Sequence, residues 1–131
     1  MKIMLVDDEQ KFAMMLAKRL ELRGIQIEVF FSGENALDAV RQGNHFDIAI
    51  LDVKMPGIGG IELKQKLGEL YPEMKFIFLT GHGSSIDDTD GTGEPAFFLP
   101  KPLKIDELIN ILGNLADETT TDTDLPDDSD R

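Results

Sequence analysis

The chain of 131 residues has no cysteine, no tryptophan and a single tyrosine, and its 13 Lys and Arg are outnumbered by 25 Asp and Glu. The absence of cysteine excludes disulfide bonds, thiolate metal sites and cysteine nucleophiles. The formal net charge of −12 disfavours nucleic-acid binding, because phosphate contacts need clustered Lys and Arg. No apolar run approaches the ~20 residues of a membrane span, and no signal-peptide pattern precedes Asp7. We therefore expect a cytoplasmic protein that makes no membrane contact.

The acidic residues are concentrated near the C-terminus. Seven of the 25 lie in residues 117–131, DETTTDTDLPDDSDR, which include one Leu and no aromatic residue. Such a segment cannot bury enough apolar surface to offset the entropy that it would lose on ordering. We expect one folded domain over residues 1–116 and an acidic disordered tail or linker stub over residues 117–131.

Short apolar runs alternate with helical patterns along residues 1–116. The runs predict strands at 2–6, 25–31, 47–51, 75–80 and 96–99, and unbroken apolar runs are typical of parallel strands covered on both faces. Apolar residues at helical spacing predict helices around 12–20, 33–42, 61–70 and 105–115. This alternation predicts an α/β fold with a doubly wound, flavodoxin-like sheet of five parallel strands in the order 2-1-3-4-5.

The segment SSIDDTDGTGE at 84–94 lies where a fourth helix should connect the fourth and fifth strands. Its Asp, Thr and Gly residues disfavour a helix by about 5 kcal/mol relative to alanine, and it has almost no apolar face. We expect a weak or partly disordered fourth helix, with one or two turns near Ile86 at most.

Polar residues cluster at the carboxyl ends of four predicted strands, which meet at the edge where open α/β sheets bind ligands. These residues are Asp7, Asp8, Glu9, Asp52, Lys54, Thr80 and Lys101. Carboxylates in close proximity need a compensating cation or a raised pKa, and oxygen ligands without Cys or His favour Mg²⁺ or Mn²⁺. A carboxylate beside such a metal and an ammonium group can attack a phosphoryl group, so the pattern predicts an aspartyl-phosphate site.

Four motifs in order resemble the receiver domain of two-component response regulators, over residues 2–116. They are MLVDDE at 4–9, LDVKMPG at 51–57, LTGHG at 79–83 and FFLPKP at 97–102. The resemblance implies a signalling protein that accepts a phosphoryl group from a sensor histidine kinase or phosphotransfer protein. Such a protein is not otherwise an enzyme, since it catalyses only its own phosphorylation and dephosphorylation. We expect the single-domain type, although a receiver separated from a longer chain remains open.

The resemblance also implies roles for individual residues at the strand ends. Asp52 would be the phosphoacceptor, and Lys101 would pair with the phosphoryl group. Asp7, Asp8 and Asp52 would hold the metal ion, Asp8 directly and Asp7 partly through water. The backbone carbonyl of Lys54 would complete the protein's share of the coordination.

Further positions implied by the resemblance concern switching and phosphoryl lifetime. Thr80 and Phe98 would be the switch residues, and the peptide bond before Pro102 would be cis. Lys54 and His82 occupy positions that modulate the lifetime of the aspartyl phosphate. The output face would combine the fourth helix, the fifth strand and the last helix, and a downstream protein would bind there.

Simpler interpretations exist for several of these residues. Thr80 taken alone could be strand filler, Phe98 could be core, and the side chains of Lys54 and His82 could be merely solvated. Two other functions are an aspartyl-phosphate phosphatase of the haloacid-dehalogenase type and an interaction module without phosphorylation. The phosphatases place a second acid two residues after the nucleophile, where this chain has Lys54, which disfavours that reading.

Overall fold

The computed structural model describes residues 1–81 and 97–120, with side-chain surroundings up to residue 116. Nine elements follow one another within these ranges: β1 (Lys2–Val6), α1 (Gln10–Glu21), β2 (Gln26–Phe30), α2 (Gly33–Arg41), β3 (Ile48–Asp52), α3 (Gly60–Leu70), β4 (Lys75–Thr80), β5 (Phe97–Pro100) and α4 (Ile105–Thr120). No helix in the described part of the chain is long and apolar enough to cross a membrane.

The five strands form one parallel sheet in the order β2-β1-β3-β4-β5. This confirms the predicted fold class and strand order. β1 and β4 have their predicted bounds, and β2 is one residue shorter than expected at each end. β3 and β5 each begin and end one residue later than expected. As a result Asp52 is the last residue of β3 and does not follow it, and Pro100 closes β5.

Side chains alternate between the two faces of the sheet and form two cores. On one face, strand residues such as Ile3, Leu5 and Ile50 pack with α1 and α4. On the other face, Met4 and Leu51 pack with α2 and α3. Because both faces are covered by helices, β1 from Ile3 onward and the whole of β3 are buried, which explains their unbroken apolar sequences.

The register of the strands brings their carboxyl ends together. Val6 pairs with Leu51, Asp52 with Leu79, and Thr80 with Pro100. The chain leaves β1 towards β2 on one side and later returns to β3 on the other. The end of β1 is therefore the switch point of the sheet, where ligands bind in this architecture.

Three expectations concern regions at or beyond the limits of the described residues. The last helix continues to Thr120, past the expected domain end at residue 116. The weak helix expected at 84–94 lies outside the described residues, and so do residues 121–131 of the expected tail. The division into domain and tail stays a prediction.

Close packing at the start of α3 leads to a test of the fold. Gly60 lies against the backbone of Asp52, and an added Cβ would overlap the Asp52 carbonyl oxygen. We expect Gly60→Ala to lower the free energy of unfolding by about 1–3 kcal/mol through overpacking. Urea denaturation followed by circular dichroism measures the change.

Gly68 provides the matched control on the same helix, because an added Cβ meets nothing within 4 Å there. Gly68→Ala should raise the free energy of unfolding by about 0.5–1 kcal/mol, since alanine is the better helix former. Equal effects of the two substitutions would contradict the proposed packing at Gly60.

Candidate functional site

Three aspartates meet at the carboxyl edge of the sheet. One carboxylate oxygen from each of Asp7, Asp8 and Asp52 lies within 4.8 Å of the others. Asp7 has no exposed surface and Asp52 is 5% exposed, whereas Asp8 is open to solvent. The sheet therefore brings together the acidic residues that the sequence predicted to converge.

The backbone fixes the two buried aspartates. The Asp7 N–H donates to the Phe30 carbonyl at 3.1 Å, and Asp7 Oδ1 accepts from the Glu9 N–H at 2.9 Å. Asp52 ends the central strand β3, and the next residue, Val53, donates its N–H to the Leu79 carbonyl at 2.9 Å. Asp7 directly follows β1 and Asp52 ends β3, and each of these strands is hydrogen-bonded to a neighbour on both sides. This limits the movement of both carboxylates.

Lys101 reaches this cluster from the end of β5. Its ammonium nitrogen lies 2.8 Å from Asp7 Oδ2 and 3.6 Å from Asp52 Oδ1, and it donates a hydrogen bond to Glu9 Oε1. The Phe12 ring covers the ammonium, with 4.6 Å from Nζ to the ring centroid. The Lys101 backbone N–H donates to the Thr80 carbonyl, and the following bond to Pro102 is cis.

Burial sets the electrostatics of the site. Desolvation, reinforced by the nearby Asp7 charge, raises the pKa of Asp52 to about 6 against the opposing effect of Lys101. Desolvation also raises the pKa of Asp7, although Lys101 and the Glu9 N–H oppose it. For Lys101, burial would lower the pKa, but the contacts with Asp7 and Glu9 outweigh it and raise the pKa above its ordinary value.

The donor set fits a hard divalent cation. Asp7 Oδ2 is buried and forms no hydrogen bond of proper geometry, so its contact with Lys101 is an ion pair that leaves oxygen lone pairs available. A buried carboxylate oxygen that has this ion pair as its contact and no hydrogen bond can take a further partner. All three donors are carboxylates, which suits Mg²⁺ or Mn²⁺ better than a softer metal.

Thr80 ends β4, the strand next to β3, and Phe98 lies on the neighbouring strand β5. Thr80 is 2% exposed, and its Oγ1 donates to the Leu99 carbonyl at 3.4 Å, a long hydrogen bond. Phe98 is half-buried and stacks on Phe78 with 5.1 Å between ring centroids. Its neighbours on β5 differ from it, since Leu99 is buried and Phe97 is 41% exposed.

The loop after β3 borders the site and is braced from α2. Lys54 has an exposed side chain in this loop. The Ile58 N–H donates to Glu34 Oε2 at 3.2 Å, and Gly57 turns the chain with a positive φ of 74° against the same carboxylate. His82, the other expected lifetime-modulating position, lies outside the described residues.

Two residues near Lys101 were not assigned a role from the sequence. Glu9 was recognised only as a further acid after β1, and Phe12 only as an apolar position of α1. No sequence signal pairs either residue with Lys101, because Glu9 and Lys101 are 92 positions apart.

Comparisons with known proteins agree with the fold and indicate the family. Residues 3–113 match the family model described as the response regulator receiver domain. The transcriptional regulatory protein CpxR of Escherichia coli is 36% identical over 82% of this chain, and the match spans 46% of CpxR. The response regulator receiver protein CpdR of Brucella abortus is 28% identical over 83% of this chain and 91% of its own length.

A solved structure of similar shape is the response regulator TrrA of Thermotoga maritima, crystallised in complex with Mg²⁺ and BeF. It is 31% identical, with a TM-score of 0.76 over 87% of this chain and 97% of TrrA. The chain spans about half the length or less of several curated relatives, such as 47% of YkoG of Bacillus subtilis and 11% of the sensor kinase CckA of Brucella abortus. On its fold, its motifs and the match over residues 3–113, the chain belongs to the response regulator receiver domain family of two-component signalling.

Proposed function

We propose that this chain is a phosphorylation-activated receiver in which Asp52 accepts a phosphoryl group from a phosphohistidine. The observation that carries the proposal is the contact set of Asp52. Its carboxylate is almost fully buried, belongs to a three-carboxylate cluster and lies 3.6 Å from the Lys101 ammonium. A nucleophile, a metal-ligating pair and a cation for the phosphoryl group are thus adjacent.

In the proposed transfer, an Asp52 oxygen attacks phosphorus while the phosphorus–nitrogen bond of the phosphohistidine breaks. The bonding electron pair stays on the imidazole nitrogen, and the phosphoryl group ends as an acyl phosphate on Asp52. The attack requires an ionised carboxylate, and a pKa of about 6 leaves Asp52 mostly ionised at pH 7. Lys101 would pair with a phosphoryl oxygen and offset the added negative charge.

Asp7, Asp8, Asp52 and the Lys54 carbonyl would hold Mg²⁺ or Mn²⁺. The bound cation would neutralise part of the charge on the transferring phosphoryl group. The buried oxygen Asp7 Oδ2, which has no hydrogen bond, supports this ligand set from the protein's side. The Mg²⁺–BeF complex of the similar protein TrrA supports it by analogy.

Thr80 and Phe98 would carry the change from the site to the protein surface. The long hydrogen bond from Thr80 Oγ1 to the Leu99 carbonyl is easily given up, so the hydroxyl can turn to a phosphoryl oxygen. The space that it leaves would allow the half-buried Phe98 ring to move inward. Such a change shifts a population between two states of one fold.

The proposed partners are a sensor histidine kinase or phosphotransfer protein as donor and a downstream protein as target. The exposed Phe97 on β5 supports a target surface next to α4. A cytoplasmic location would suit both partners. The part of this surface expected from residues 84–94 lies outside the described residues.

Phosphorylation by a small donor tests the proposed function. Incubation with acetyl phosphate and Mg²⁺ should add the mass of one phosphoryl group, as measured by intact-protein mass spectrometry. We expect Asp52→Asn to abolish the gain, because the amide is not a nucleophile of this kind. Omission of Mg²⁺ should also slow the gain strongly.

Asp38→Asn is the matched control, because Asp38 is an exposed aspartate on α2 outside the site. This variant should gain the phosphoryl group as the wild type does. Multiple turnover of a phosphomonoester would favour the phosphatase alternative, and no modification by any donor would favour the interaction module.

The raised pKa of Asp52 also predicts a change in stability. Because the folded-state value of about 6 exceeds the unfolded value of 3.8, the ionised carboxylate destabilises the fold at neutral pH. Asp52→Asn should therefore raise the free energy of unfolding in metal-free buffer at pH 7 by about 1–3 kcal/mol. Urea denaturation measures it.

The sign of this effect sets its pH dependence. The advantage of Asp52→Asn should be full above pH 6 and shrink as the pH falls towards 4, where the wild-type carboxyl becomes protonated in both states. Added Mg²⁺ should stabilise the wild type more than the variant, since the variant loses a ligand. A variant less stable than the wild type in metal-free buffer would contradict the prediction.

The exposed Lys54 ammonium offers a test of phosphoryl lifetime. We expect Lys54 to hinder the attack of water on the acyl phosphate, so Lys54→Ala should lose phosphate roughly two- to fivefold faster. Decay of the phosphorylated mass after removal of the donor measures the rate. Lys66→Ala on α3 removes the same charge away from the site and should decay as the wild type does; an unchanged rate in Lys54→Ala would refute the role.

A further inference from the structure

Glu9 occupies an unusual position at the start of α1. It is the N-cap residue of the helix, yet its side chain forms no capping hydrogen bond. Its carboxylate instead accepts a hydrogen bond from Lys101 Nζ. The Glu9 side chain therefore contacts the site at the sheet edge and does not cap the helix.

The Lys101 ammonium is divided among three carboxylates. It contacts Asp7 Oδ2 at 2.8 Å and Glu9 Oε1, but it remains 3.6 Å from Asp52 Oδ1. Lysine has three N–H donors, and the shorter contacts are the ion pair with Asp7 and the hydrogen bond with Glu9. Before phosphorylation, Lys101 is thus held closer to the carboxylates of β1 and the following turn than to Asp52.

Asp7 and Glu9 differ in how easily they can release Lys101. Asp7 is completely buried and is also fixed by the Glu9 N–H. The Glu9 side chain is 62% exposed and can be hydrated as soon as it leaves. Release of Lys101 from Glu9 is therefore the less costly of the two rearrangements.

We propose that Glu9 is a positioning residue that restrains Lys101 in the unphosphorylated state and competes with the phosphoryl group for its ammonium. The inference rests on the proposed function, in which a phosphoryl group on Asp52 pairs with Lys101. That group would carry nearly two negative charges, which attract Lys101 and repel the Glu9 carboxylate. The contact with Glu9 then determines how strongly the phosphoryl group must attract the Lys101 ammonium before it leaves Glu9.

The affinity for beryllofluoride, a stand-in for the phosphoryl group, tests the proposal. Titration with beryllofluoride at saturating Mg²⁺, followed by fluorine NMR, measures binding without turnover. We expect Glu9→Gln to bind beryllofluoride roughly two- to fivefold more tightly than the wild type, the scale of one exposed ion pair. Unchanged or weaker binding would overturn the proposal.

Glu9→Asp separates restraint of Lys101 from simple charge repulsion. Aspartate keeps the negative charge but is one methylene shorter, so it cannot hold Lys101 from the same backbone position. If Glu9 acts by restraining Lys101, Glu9→Asp should bind beryllofluoride as tightly as Glu9→Gln does. If it acts only by charge repulsion, Glu9→Asp should bind with wild-type affinity, and that result would overturn the proposal.

Glu62→Gln is the control for net charge, because Glu62 pairs with Lys66 on α3, away from the site. It should bind beryllofluoride as the wild type does, and an effect as large as that of Glu9→Gln would overturn the proposal. Failure of the wild type to bind beryllofluoride would overturn the proposed function and this inference with it. Wild-type binding that Glu9→Gln leaves unchanged would overturn the inference alone.

Discussion

The carboxylates at the sheet edge are the constraint around which this domain is organised. Asp7 and Asp52 are removed from water and lie within reach of each other and of Asp8, an arrangement that is unfavourable by itself. The Lys101 ammonium compensates part of the charge, but burial and the Asp7 charge still raise the pKa of Asp52. The edge of the sheet thus carries more carboxylate charge than its ammonium group neutralises.

The rest of the fold holds these groups in place despite the cost. Two hydrophobic cores cover both faces of the sheet, and the parallel register aligns the ends of β1, β3, β4 and β5. Gly60 allows α3 to begin directly against the backbone of Asp52. The brace between Glu34 and the Ile58 N–H then fixes the loop that borders the cluster. The two cores thus stabilise the fold and hold the charged groups at the edge of the sheet.

The sequence predicted the strand order and the meeting of the acidic residues, because unbroken apolar runs mark buried parallel strands and such strands end at one edge. It could not predict which carboxylates Lys101 contacts, since that depends on side-chain conformations between residues far apart in the chain. The hydrogen bond from the Ile58 N–H to Glu34 could not be predicted for the same reason. The cis bond before Pro102 followed from family resemblance and not from local sequence physics, and the structure contains it.

Lys101 also has a mechanical consequence for the sheet. β5 is a short edge strand that pairs with β4, and two strands separate it from β1 in the sheet. The ion pair between Lys101 and Asp7 therefore spans the ends of β3 and β4 and connects β5 to the end of β1. A displacement of the Lys101 ammonium from Asp7 would therefore loosen this connection, and the charge of one side chain would affect how much the whole of β5 can move.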